Sequence, residues 1–176
     1  MSLWATGCGT TTSHLAVNHR HLPRPDARIV VLPIALPETI ESGDREGRTL
    51  ANMYATELLR SYEILEYERF RRSLESRQLT LDNLLVDGQG LELLDELQLD
   101  GVLLGEVYSW QEGKPGIWIL ASPGTVGFQA RLVDLRSGSV IWSVNRVSDT
   151  KPTDTLSMGL ASVFRELAAK MPKPEM

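Results

Sequence analysis

Apolar residues along this chain fall in short blocks whose period keeps changing. Arg28-Ile29-Val30-Val31-Leu32-Pro33 is a continuous β-branched run closed by proline, the pattern of a strand covered on both faces. A loop from Ile34 to Gly43, carrying Pro37, leads to Leu50, Met53, Tyr54 and Leu58 at helical spacing. With small Ala51 and Ala55 beside them, these predict one apolar stripe on a helix of about four turns, ending near Arg60. Tyr62-Glu63-Ile64-Leu65-Glu66 reads as a short second strand, and Glu68 to Gln78 as a charged helix anchored by Phe70 and Leu74. After Leu81 and Leu84, Gly90 to Leu97 predicts a third helix, stopped by the turn pair Asp100-Gly101.

Gly101 to Tyr108 is a largely apolar third strand. Thr125 to Leu135 and Val140 to Val144 add two more, joined by the hairpin Arg136-Ser137-Gly138-Ser139. Leu156, Leu160, Val163, Phe164, Leu167 and Met171 line a last helix that begins near Thr153 or Asp154, where an N-cap is favoured. The order is β-α-β-α-α-β-β-β-α. Strands separated by helices are parallel crossovers, and the closing hairpin adds antiparallel strands. This predicts an α/β fold, three-layer α/β/α, with a mixed sheet of about five strands. Residues 1–27, with Pro23, Pro25 and no apolar periodicity, read as a tether, and 28–171 as a single domain.

Composition agrees with one globular unit. The 176 residues are 42% hydrophobic and 23% charged, enough to bury a core. No run approaches the roughly 18 apolar residues of a membrane helix. A net charge of −5 argues against a general nucleic-acid binder, which needs clustered Lys and Arg. With Cys8 as its one cysteine, the chain can form no internal disulfide.

Catalytic chemistry lacks its reagents. Gly43-Asp44-Arg45-Glu46-Gly47-Arg48-Thr49 faintly echoes a P-loop, but it puts Arg where Lys is needed and carboxylates where phosphates would lie. The region from 28 onward has no histidine or cysteine, which removes zinc chemistry and His-assisted nucleophiles. His14, His19 and His21 lie near Cys8 in the tether without a ligand pattern, and Arg20, Arg24 and Arg28 make that arm locally basic. No cofactor, metal or enzymatic activity is expected. Two stretches are candidate interfaces. One is the basic cluster Arg69, Arg71, Arg72 and Arg77 on the second helix, for an acidic partner; its plainer reading is a solvated face, partly neutralised by Glu68 and Glu75. The other is Ile117-Trp118-Ile119-Leu120 between Gly/Pro hinges, where an aromatic anchor suits binding; its plainer reading is a short strand finishing the sheet.

Cys8 follows Ala5-Thr6-Gly7 and precedes Gly9-Thr10-Thr11-Thr12-Ser13. Small residues before a cysteine and a polar run after it resemble a bacterial lipoprotein cleavage site. The resemblance implies acylation at Cys8, a periplasmic location and a membrane anchor; the alternative is a free cysteine on a disordered arm.

Further residues carry a second resemblance: Val30 to Pro33, Leu50-Ala51, Glu66 to Phe70, Asp100 to Gly105 and Val133 to Ser143. Together they resemble periplasmic domains of the CsgG, LpoB and TolB-N-terminal-like group, over roughly residues 28–168. That group implies a non-enzymatic outer-membrane lipoprotein: a secretion channel, an activator of a peptidoglycan synthase, or an accessory protein. A pore needs strands of about 9–11 residues, and the chain offers only Ile117 to Leu120 between strands. From Gly9 to Ala27 the tether spans about 65 Å fully extended and about 25 Å as a coil, which holds the domain near its own membrane. The resulting expectation is a lipid-anchored binding or assembly module at the outer membrane, with envelope proteins as partners and homo-oligomerisation. A peptidoglycan-synthase activator or an auxiliary lipoprotein of a transporter is the alternative.

Overall fold

A computed structural model describes residues 11–18, 26–40, 43–85, 90–116 and 121–171. Among the described residues six strands are formed: β1 (Thr12–Val17), β2 (Arg28–Val31), β3 (Glu63–Leu65), β4 (Gly101–Gln111), β5 (Gly124–Asp134) and β6 (Val140–Thr150). Five helices join them: α1 (Gly43–Leu58), α2 (Tyr67–Ser76), α3 (Leu81–Leu85), α4 (Leu91–Leu97) and α5 (Leu156–Lys170). They build one mixed sheet in the order β1-β6-β5-β4-β2-β3. β2 runs parallel to β3 and β4, while β4, β5, β6 and β1 pair antiparallel in turn.

The continuous apolar run in β2 has the expected cause. Ile29 and Val31 enter a core under α1 and α5, with Leu50, Tyr54, Leu58, Leu160 and Phe164. Val30 between them enters a second core under α2, α3 and α4, with Phe70, Leu74, Leu84 and Leu93. Leu103 and Val102 of β4 divide in the same way, because successive side chains leave opposite faces of a strand. Helices therefore lie on both faces, and the α/β class read from the sequence stands. At the centre of the first core, Tyr54 stacks on Phe164 with centroids 4.6 Å apart, and Phe128 meets both rings edge-on.

The sheet has six strands where the sequence predicts about five. The extra one is Thr12–Val17, inside the segment read as tether; it pairs with β6 through six residues, Thr12 opposite Val147 to Val17 opposite Trp142. Its apolar content is only Leu15, Ala16 and Val17, so backbone pairing rather than burial makes it a strand. Arg28, which adds to the charge of the basic arm, opens β2 as the sequence predicts. Its N–H donates to Asp100 Oδ2 (2.9 Å), its Nη1 to the Leu97 carbonyl at the end of α4 (2.9 Å), and its guanidinium pairs with Glu63.

Other boundaries move for local reasons. The P-loop-like run forms the first turns of α1, and Gly47 is needed there because a Cβ would sit 2.5 Å from the Ile34 carbonyl oxygen. α3 is capped by Thr80 and Asn83, each side chain accepting the other's backbone N–H. α5 starts at Leu156, where Thr155 Oγ1 accepts from the Met158 N–H. In the hairpin, Asp134 Oδ1 accepts from the N–H groups of Arg136 and Ser137, and Gly138 takes the positive φ of 67°.

Candidate functional site

β4, β5 and β6 are each eleven residues long, and among the described residues the core under α2, α3 and α4 takes in Val30 of β2 and Leu65 of β3 but, of the longer strands, only Val102, with Leu104 against it, and Val133. Strand alternation turns alternate residues of the longer strands onto the part left open. In register across four strands stand Glu106, Gln129, Asn145 and His14. The adjacent row is Leu104, Arg131, Ser143 and Ala16. Glu106, Gln129, Arg131, Asn145 and His14 are all exposed. These rows line an open depression of about 900 Å³.

Side-chain hydrogen bonds order this face. Gln129 Nε2 donates to Glu106 Oε2 at 2.6 Å, and the Tyr108 hydroxyl donates to Asn145 Oδ1 at 2.9 Å. Tyr108 crosses from β4 to β6 directly over Gly127, where a Cβ would collide with its ring. Partial burial raises the Tyr108 hydroxyl pKa above its ordinary value. His14 and Glu106 stand three strand spacings apart, about 14 Å, well beyond the roughly 3 Å over which a proton is passed. The rows carry two amides, a carboxylate, a guanidinium and an imidazole on one face of the sheet. Such an arrangement can make distributed hydrogen bonds across the face. Among the described residues no group of three His, Cys, Asp or Glu is placed to hold a metal ion.

The residues singled out in the sequence fall elsewhere. Arg69 and Arg72 lie exposed on α2, outside the lining of the depression. Arg72 Nε donates to the Glu68 carbonyl (3.2 Å), Arg71 bridges Glu68 and Glu75, and Arg77 pairs with Glu96 across to α4. The hydrogen bond from Arg71 holds the Glu68 carboxyl below its usual pKa. Arg71 and Arg77 are thus paired with carboxylates on the protein itself. Ile117, Trp118, Ile119 and Leu120 lie outside the described residues, as do Cys8, His19 and His21. At the base of the 117–120 segment, Lys114 and Ser122 exchange two backbone hydrogen bonds of 3.0 Å. The sequence reading missed the polar rows altogether. The signal available was polar alternation in β5 and β6, together with Leu15 and Val17 two residues apart in β1.

No family model and no curated protein matches the chain. Solved structures do. A PelC dodecamer from Paraburkholderia phytofirmans superposes with a TM-score of 0.58 at 18% identity, covering 90% of this chain and 94% of that one. Lipoprotein GNA1162 from Neisseria meningitidis gives 0.51 at 23% identity over 81% and 95%. The LpoB C-terminal domain from Escherichia coli is a looser match, 0.44 at 15% identity over 69% and 81%. At these identities the likeness is one of fold. One of them, GNA1162, is a lipoprotein, so the expected resemblance to bacterial lipoproteins is met in part, as a likeness of fold. Among the described residues no helix is long and apolar enough to cross a membrane.

Proposed function

We propose that this chain is a non-enzymatic binding and assembly module, anchored by acylated Cys8 to the periplasmic side of a bacterial outer membrane. It self-associates and serves an envelope or secretion complex of the broader CsgG, LpoB and TolB-N-terminal-like type. The observation that carries this reading is the polar part of the sheet face that no helix covers among the described residues, where His14 and Glu106 stand too far apart to pass a proton. The end-to-end likeness to a protein whose structure is a dodecamer, and to a named lipoprotein, supports the same reading.

Light scattering on the chain with Cys8→Ser tests self-association. A mass of several protomers is expected, and a strict monomer would redirect the reading to docking on another complex, such as a peptidoglycan synthase or a transporter. Labelling with radioactive palmitate in a bacterial host tests the anchor: label is expected on the Cys8 chain and not on Cys8→Ser. Equal labelling of the two would remove the anchor.

A further inference from the structure

The sheet's two edges are built differently. β3 is three residues long, bounded by Glu63 and Glu66, a short and charged edge of the kind that resists pairing. β1 is six residues, Thr-Ser-His-Leu-Ala-Val, with no proline, lysine or carboxylate, and its register to β6 shows no bulge. Among the described residues nothing pairs with its outer side. A strand left in this state is a template for another strand.

The ladder fixes which groups face outward. The Asn18 N–H donates to the Ile141 carbonyl at 2.8 Å. Opposed residues of an antiparallel pair exchange bonds at every second position. Even-numbered residues of β1 therefore bond to β6, and Ser13, Leu15 and Val17 turn their N–H and C=O groups outward. Leu15 is also one of the exposed large apolar side chains, at 38%.

We propose that β1 is a homotypic docking edge, and that a second copy of this chain pairs with it antiparallel about a twofold axis at Leu15. This rests on the self-association reading above and names its surface. In this register Ser13 opposes the second copy's Val17, and Leu15 opposes its own counterpart. Outward groups then meet outward groups at three positions, giving six backbone bonds. The exposed Leu15 side chains cover each other, and His14 lies opposite the small Ala16. A register centred on His14 makes four such bonds and leaves Leu15 facing serine. Pairing about Leu15 joins the two polar sheet faces into one surface. It also suits two anchors in one membrane. The two Thr12 residues lie about 20 Å apart, and each is within about 14 Å of chain reach of its own Cys8.

The test uses the full chain carrying Cys8→Ser. Leu15→Lys sets two ammonium groups opposite each other and leaves the pairing with β6 intact. Its mass by light scattering is expected to fall at least twofold relative to the unsubstituted chain. In a separate variant, Leu15→Cys is expected to form a disulfide-linked dimer under mild oxidation. Opposed residues sit about 5.5 Å apart, inside the disulfide range. Arg69→Cys, on α2, is the control and is expected to cross-link at least tenfold more slowly. An unchanged mass for Leu15→Lys overturns this docking edge and leaves self-association standing. Equal cross-linking of the two cysteine variants overturns it as well, and does so even if Leu15→Lys perturbs folding. A monomeric unsubstituted chain removes both the edge and the reading beneath it.

Discussion

At Tyr54 the core contains a polar atom it does not use. The ring is fully buried between Phe128 and Phe164, and its hydroxyl has no hydrogen-bond partner among the described residues. An unsatisfied buried hydroxyl costs about 1–3 kcal/mol, so Tyr54→Phe is expected to raise stability. For a chain of this length, the low end of that range is about 2–4 °C in Tm. The same burial pushes the hydroxyl pKa far up, with nearby Tyr62 adding to the effect. Folded, Tyr54 keeps its proton above pH 10, where an unfolded tyrosine loses it. Unfolding then releases a proton, so stability is whole below about pH 10 and falls as pH rises beyond it. Urea titrations between pH 8 and 11 should show this alkaline decline, and Tyr54→Phe should flatten it. Tyr62, also raised by burial and partly offset by the hydrogen bond from Trp142 Nε1, leaves a smaller remainder.

Among the elements, α5 is tied to the sheet by a contact that hydropathy hides. Arg146 in the middle of β6 points into the first core, its side chain only 4% exposed, and Nη2 pairs with Glu166 on α5 at 2.5 Å. Its Nε and Nη1 are buried without partners among the described residues. Glu166→Ala leaves the cation uncompensated and is expected to cost about 3 kcal/mol at most, because Glu166 itself is half exposed. Arg146→Met with Glu166→Ala should recover most of that loss, since an apolar side chain of similar length fills the site. Urea unfolding of the three proteins measures both effects. This residue also explains a boundary. The sequence-predicted strand stops at Val144, whereas the ladder runs through polar Asn145 and Arg146 to Thr150. Where burial set the pattern, as in Ile29 to Val31 and along α5, the elements were legible from residues alone. Where an ion pair or backbone pairing set it, as at Arg146 and in β1, no apolar period exists to read. The polar rows of Glu106, Gln129 and Asn145 were hidden for the same reason, since an open sheet face looks like ordinary surface until register aligns it.

For the whole molecule, strand order sets a gradient of protection that amide exchange can measure. β4 and β5 are paired on both sides and bury Leu103, Val107, Phe128, Ala130 and Leu132 in the first core and Val102 and Val133 in the second, whereas β1 has β6 alone and is mostly exposed. Local opening is easiest where buried contacts are few, so β1 should exchange fastest among the six strands in the isolated protomer. Alternation makes the expectation finer. The amides of His14 and Ala16 turn toward β6 and gain protection from folding alone. Those of Ser13, Leu15 and Val17 point outward and gain it only from an added strand. In dilute protein the odd-numbered amides of β1 should exchange at rates near those of an open chain, with the even-numbered ones slower. Raising the concentration into the assembled regime should slow the odd-numbered set at least tenfold while β5 hardly changes. Uniform slowing of odd and even positions would point to a general tightening of β1 on β6. An alternating response requires hydrogen bonds on the outer side of the strand, because only there do Ser13, Leu15 and Val17 find an acceptor.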